Sequence, residues 1–130
     1  MLNLSASRIP IVFRLEDGRE AEGELIRHLA PRTVSAIVKN LPIEGRCVVW
    51  MDEVYFKVPV TIGEEKATKR VERGDIAYWP MGSAICIFFG STQPYSPVNP
   101  VGKIKRGIEV LEEIKSGLKI MVLKTEKPFN

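Results

Sequence analysis

Histidine and cysteine are scarce in this chain. His28 is the only histidine among 130 residues, and Cys47 and Cys86 are the only cysteines. So few soft ligands exclude a Cys/His metal cluster at zinc spacing, and no metal is expected. No nucleophile motif, phosphate-binding loop or dinucleotide fingerprint is present either, so no cofactor is expected. Each cysteine sits inside an apolar run, as a buried free thiol of a cytoplasmic protein does. Long hydrophobic runs are also missing. No stretch reaches membrane-spanning length, so no membrane association is expected. The opening MLNLSASRIP lacks a basic start followed by an apolar segment, so no signal peptide is expected and the location read from the sequence is the cytoplasm.

An excess of one charge is absent as well. Nineteen basic residues face sixteen acidic ones, a net charge of +3. The densest basic cluster, Lys66, Lys69, Arg70 and Arg73, is interleaved with Glu64, Glu65 and Glu72. That mixture describes a solvated loop rather than a phosphate track, and no nucleic-acid partner is expected.

What the chain does have is a core. Apolar residues make up 45%, enough for one domain over residues 1–130, with 1–8 and 126–130 as peripheral tails. The centre is Gly74–Gly90, GDIAYWPMGSAICIFFG. Ile76 to Trp79 suit a pleated surface, Pro80 to Ser83 break the run, and Ala84 to Phe89 read as a strand buried on both faces. Upstream, Ile9, Ile11, Phe13 and Leu15 alternate with other residues, and Asp17-Gly18 predicts a two-residue type I′ hairpin turn. The return strand places Ala21, Gly23 and Leu25 inward; such small inward residues imply a close neighbour on that face.

Pro31 predicts a helix start, with Val34, Ile37, Val38 and Leu41 as its single apolar stripe and Pro42 as its stop. Strands are expected over 43–51 and 54–62, then a charged, mobile loop over 63–73. The prolines at 94, 97 and 100 exclude a regular helix. A short strand at Gly102–Ile104, a second short helix capped by Gly117, and a last strand at Leu118–Thr125 complete the order β-β-α-β-β-β-β-β-α-β. Roughly eight strands with two isolated helices predict a mainly β fold, an antiparallel barrel or sandwich with helical covers.

Several segments resemble the cyclophilins. A hairpin leads to Ala30-Pro31-Arg32-Thr33-Val34, where that family has a helix beginning Val-Pro-Lys-Thr-Ala. Val101-Gly102-Lys103-Ile104, then Gly107 and Val110-Leu111, resembles the family's Phe-Gly-Lys-Val-x-x-Gly and short helix. Phe88-Phe89 sits like its paired phenylalanines. The resemblance runs from about Ile11 to about Val122 and implies a closed eight-stranded antiparallel β-barrel capped by two helices. GDIAYWP and FFG, with Thr92 and Ser96 beyond, are most similar to small prokaryotic cyclophilin-like proteins.

Cyclophilins are prolyl isomerases, and their active groups transfer poorly. The arginine position falls on Trp50, the glutamine near Val58, and the tryptophan and histidine near Gln93 and Val98. The two pocket phenylalanines correspond to Tyr55 and Phe89. Rotation about an X-Pro bond faces a barrier of about 18–20 kcal/mol. Lowering it takes a donor aimed at the prolyl nitrogen, because binding substrate and transition state equally well does not raise turnover.

The residues themselves suggest a groove. By alternation, Tyr55 faces opposite Phe56, and Phe89 opposite Phe88. The expected groove is lined by Trp50, Tyr55, Tyr78, Trp79 and Phe89, bordered by Tyr95, with Glu53 as a nearby carboxylate. It would suit a small molecule or a proline-containing peptide. Little or no isomerase activity is expected. The alternatives are a divergent isomerase or folding helper, and an accessory subunit related to amide-hydrolysing complexes, which would show as a homo-oligomer or a protein partner.

Overall fold

The computed structural model describes residues 6–126, so residues 1–5 and 127–130 of the expected tails lie outside the described residues. Nine strands and two short helices follow one another as β1 (Arg8–Leu15), β2 (Glu20–Ile26), α1 (Pro31–Asn40), β3 (Ile43–Arg46), β4 (Val48–Trp50), β5 (Glu53–Lys57), β6 (Asp75–Trp79), β7 (Ala84–Phe88), β8 (Asn99–Arg106), α2 (Ile108–Glu112) and β9 (Lys119–Lys124). All pair antiparallel in one sheet of order β3-β9-β1-β2-β8-β6-β7-β5-β4. The sheet curls until β3 meets β5, where a Cβ on Gly45 would lie 3.1 Å from the Lys57 carbonyl oxygen. The result is a nearly closed barrel, the mainly β architecture expected from the sequence.

The inward faces follow the period of two. Ile9, Ile11, Phe13 and Leu15 of β1, Val54 and Phe56 of β5, Ile76 and Tyr78 of β6, and Ile85 and Ile87 of β7 are buried in one core. Phe13 and Phe56 meet edge to face at 6.5 Å within it. The helix α1 lays Val34, Ile37 and Val38 on this core and leaves Lys39 and Asn40 exposed.

Four expectations need correction. The β1–β2 turn is not a two-residue type I′. Gly18 N–H donates to the Leu15 carbonyl, Leu15 N–H donates to the Arg19 carbonyl, and only Gly18 (φ +94°) has a positive φ there. This is a three-residue turn whose left-handed position falls on glycine; type I′ would need positive φ at both central residues. The expected strand 43–51 breaks at Cys47, because β3 pairs with β9 and β4 with β5, at opposite ends of the sheet. Hence nine strands rather than eight. The strand expected over 54–62 stops at Lys57, although Val58 and Val60 stay buried beyond it. The helix α2 ends at Glu112, so Gly117 does not cap it; Gly117 turns the chain at φ +98° into β9, its N–H held by the Cys47 carbonyl.

The 63–73 segment, expected to be mobile, is tied down. The N-terminus of α1 has no side-chain cap of its own. Instead the Glu65 carboxylate accepts from Arg32 N–H (3.0 Å), Thr33 N–H (2.8 Å) and Thr33 Oγ1 (2.7 Å). Buried Asn99 completes the knot, accepting from Glu65 N–H at 2.9 Å and donating to Thr33 Oγ1 and the Gly63 carbonyl. Partial burial of Glu65 opposes its ionisation, but the hydrogen bonds from Thr33 and Arg32 outweigh it and hold the carboxyl below its usual pKa of 4.5. Its contribution is therefore present at neutral pH and lost as pH falls through that lowered value. Glu65→Ala should cost about 1–2 kcal/mol at pH 7, the worth of a helix cap made with charge-assisted hydrogen bonds. An unchanged urea midpoint at pH 7 would show that the cap contributes nothing.

Candidate functional site

The register of β5, β6 and β7 builds a second, outward face. Tyr55 pairs with Cys86, Glu53 with Phe88, Ala77 with Cys86, and Trp79 with Ala84. Residues two apart share a face. Glu53, Tyr55, Ala77, Trp79, Cys86 and Phe88 therefore all point away from the barrel interior. Ala77, Cys86, Phe88 and Val98 form a small buried cluster there, with Tyr55, Val71 and Trp79 packed on it.

The 89–98 segment folds over this face and is held at several points. Thr92 Oγ1 donates to Asp52 Oδ2 at 3.0 Å, and Phe89 N–H donates to the Asp52 carbonyl at 2.9 Å. Gln93 accepts from Val71 N–H at 2.9 Å, and Val98 exchanges two backbone hydrogen bonds with Thr68. Between the segment and the sheet lies a cavity of about 280 Å³, lined by Trp50, Glu53, Tyr55, Trp79, Cys86, Pro94, Tyr95 and Val98. Its size is close to the lower end of ordinary small-ligand pockets, about 300–1,000 Å³.

The rings are positioned unequally. Trp79 is fixed on three sides. Its Nε1 donates to Ser96 Oγ at 2.6 Å, Tyr55 packs edge to face at 5.7 Å, and Gly82 lies so close that a Cβ there would be 2.4 Å from the indole. Trp50, at the start of the two-residue turn to β5, is 41% exposed, and Tyr95 is 75% exposed. Cys86 and Val98, both buried, form the floor, while Trp50 and Tyr95 stand at the mouth.

Glu53 is the one carboxylic acid in this lining, and only 6% of it is exposed. Burial pushes its pKa from 4.5 up to about 7, against a smaller lowering by a hydrogen bond from the Cys86 thiol. The thiol is pushed well above its usual value, first by burial and then by the neighbouring Glu53 charge, so it is a proton donor here and not a nucleophile. Both cysteines are free and buried. Among the described residues no group of three or more histidines, cysteines and acids could hold a metal ion.

Of the seven residues expected at the groove, the structure brings five together: Trp50, Glu53, Tyr55, Trp79 and Tyr95. Tyr78 is not among them. It is fully buried in the barrel, with its hydroxyl held by the Val60 carbonyl and by Ile62 N–H. Phe89 is also excluded; it packs against the barrel core, while Phe88 lies on the outward face. The expected parity was right for β5 and inverted for β7, because Tyr55 pairs with Cys86 and so shares its face with Phe88. Sequence alternation alone could have removed Tyr78, since consecutive residues Tyr78 and Trp79 cannot both face one groove. Cys86, Pro94 and Val98 were missed; nothing local in the sequence marks them as lining residues. The arginine nearest in sequence, Arg46, donates to the Gly117 carbonyl at 2.9 Å and is not part of the lining.

Comparison with known proteins supports this architecture. The family model described as cyclophilin-like matches residues 7–123. The solution structure of the hypothetical protein AF2241 from Archaeoglobus fulgidus is 36% identical, with a TM-score of 0.81 over 95% of this chain and 100% of that one. A structure of McbB in complex with tryptophan shares the fold at 14% identity and a TM-score of 0.73, over 92% of this chain and 46% of that one. The comparison with curated proteins finds no match. With nearly its whole described length matched, the chain belongs to the cyclophilin-like family.

Proposed function

We propose that the protein binds a small, largely apolar ligand, or one residue of a peptide, in the cavity between β4–β7 and the 89–98 segment, and does not catalyse prolyl isomerisation. The observation that carries this reading is the convergence of Trp50, Tyr55, Trp79 and Tyr95 with the buried acid Glu53 on one cavity. Rings supply contact area and Glu53 supplies one oriented polar group, the division of labour common in ligand pockets. McbB, on the same fold, is found with tryptophan, which favours a ligand of about that size and aromatic character. Against catalysis stands the lining itself: none of its eight residues carries a guanidinium or ammonium group that could reach a prolyl nitrogen.

The chain's two tryptophans both line the cavity, so tryptophan emission, excited selectively over tyrosine, reports on it. Titration with free phenylalanine and short X-Pro peptides should shift that emission saturably, and Tyr55→Ala should weaken the response about ten-fold, the loss of an aromatic contact. Exchange NMR on the same X-Pro peptides should show cis–trans rates unchanged by the protein. Accelerated exchange that Tyr55→Ala abolishes would replace this reading with that of a divergent isomerase.

A further inference from the structure

We infer that the cavity's ligand is an organic cation: an ammonium or guanidinium group on a small apolar or aromatic body, with Glu53 as its counter-ion. The inference rests on the reading of the cavity as a ligand site and names the chemistry that site selects.

Three observations carry it. Glu53 lines the cavity, yet is more than nine-tenths buried. Most other partly or fully buried acids on the barrel wall have a basic partner: Glu24 pairs with Arg8 and Lys105, Asp75 with Lys103, and Glu22 with Arg106. No lysine, arginine or histidine pairs with Glu53 among the described residues, and its one side-chain hydrogen bond comes from the weak Cys86 donor. Ionising a buried carboxyl without a cation is costly, so a cation entering the cavity gains more from Glu53 than it would from a solvated acid.

The rings complete the chemistry. Trp50, Tyr55, Trp79 and Tyr95 line the same cavity, and indole and phenol faces attract cations through their electron-rich centres. Two of them stand partly exposed at the mouth, where a ligand body would cover them. Among the described residues that line the cavity none is basic. The titratable groups around Glu53 are Cys86 from β7 and Tyr55 and Tyr95 in the lining; β4 contributes only Val48, Val49 and Trp50; and Asp52, next in the chain, is engaged by Thr92. An anion would meet a buried carboxyl with no basic group beside it. A neutral ligand would fill the volume but leave Glu53 without a matched partner.

Three probes of one shape separate these cases: 2-phenylethylammonium, 2-phenylethanol and 3-phenylpropionate, titrated at pH 8 against tryptophan emission. The ammonium should bind roughly ten-fold or more tightly than the alcohol, the size expected for a charge-assisted contact. The propionate should not bind. In Glu53→Gln the preference for the ammonium over the alcohol should shrink to about two-fold or less, the residue left to the rings alone. The wild-type comparison decides without the variant. If the alcohol binds as well as the ammonium, the cavity remains a ligand site and the cation inference is overturned. If none of the three probes, nor any ligand of the preceding titration, moves the emission, the ligand-site reading falls and this inference with it.

Discussion

Glu53→Gln is expected to make the protein more stable at pH 8 and to flatten its pH dependence. In the folded protein Glu53 titrates near 7, raised from 4.5 by burial. Between those values the folded state holds a proton that the unfolded state has released, so stability falls as pH rises through the window. The group's favourable contribution is complete below about pH 4.5 and lost by about pH 7. A displacement of that size corresponds to a free energy on the order of 3 kcal/mol. An amide of the same shape removes the titration, and with it the penalty above pH 7. Urea unfolding at pH 5, 6, 7 and 8 checks this: the wild-type curve should descend across the series while the variant stays nearly level. Glu65 loses its contribution only below its ordinary 4.5 and the Cys86 thiol titrates well above 9, so neither contributes a slope in the same window. Parallel curves for the two proteins would mean that Glu53 is already ionised in the folded state across this range, and that burial does not raise its pKa.

The second large effect lies in the barrel wall. Gly102 on β8 is crossed by β2 so closely that a Cβ would sit 2.1 Å from the Glu24 carbonyl oxygen and 3.0 Å from its carbon. Both atoms are backbone, so no side chain can swing away. Across the same approach, a Cβ on Gly23 of β2 would lie 2.8 Å from the Lys103 carbonyl oxygen. Gly102→Ala must therefore push β2 and β8 apart and break part of the ladder around the Leu25–Gly102 pair. The expected cost is about 4 kcal/mol, at the upper end of overpacking and single-substitution effects, or on the order of 10–20 °C in melting temperature. Gly63→Ala is the control: nothing lies within 4 Å of its Cβ position and its φ is not positive, so its melting temperature should stay within a few degrees of wild type. Equal stability of the two variants would show that β2 and β8 have room that the close contact denies.

Much of this was legible in the chain. The alternation in Ile9–Leu15 and 54–58, the apolar run Ala84–Phe89 and the stripe of Val34, Ile37 and Val38 specify which residues bury, because period and polarity are local properties. Gly23 announced a close neighbour by lacking a side chain. Pro31 marked the first residue of α1 because a missing N–H costs nothing there. The aromatic content of the site could be read in the same way, through Trp50, Tyr55, Trp79 and Tyr95.

Other features depend on which strand lies beside which. The face of β7 that carries Cys86 and Phe88 follows from the Tyr55–Cys86 register, and a one-residue slip would have put Phe89 in the cavity instead. The break at Cys47 exists because β3 and β4 belong to opposite ends of the sheet. The capping of α1 by Glu65, 32 positions beyond Thr33, and the closure of the cavity by a segment tied to Asp52 and Thr68 are contacts between residues far apart in sequence. So is the burial that raises the Glu53 pKa: in the chain it reads as half of an acidic turn, and it becomes a buried acid only when β4, β7 and the 89–98 segment pack around it. Local pattern settles what each residue prefers; long-range packing settles its neighbours, and the charge state and chemistry of a site belong to the neighbours.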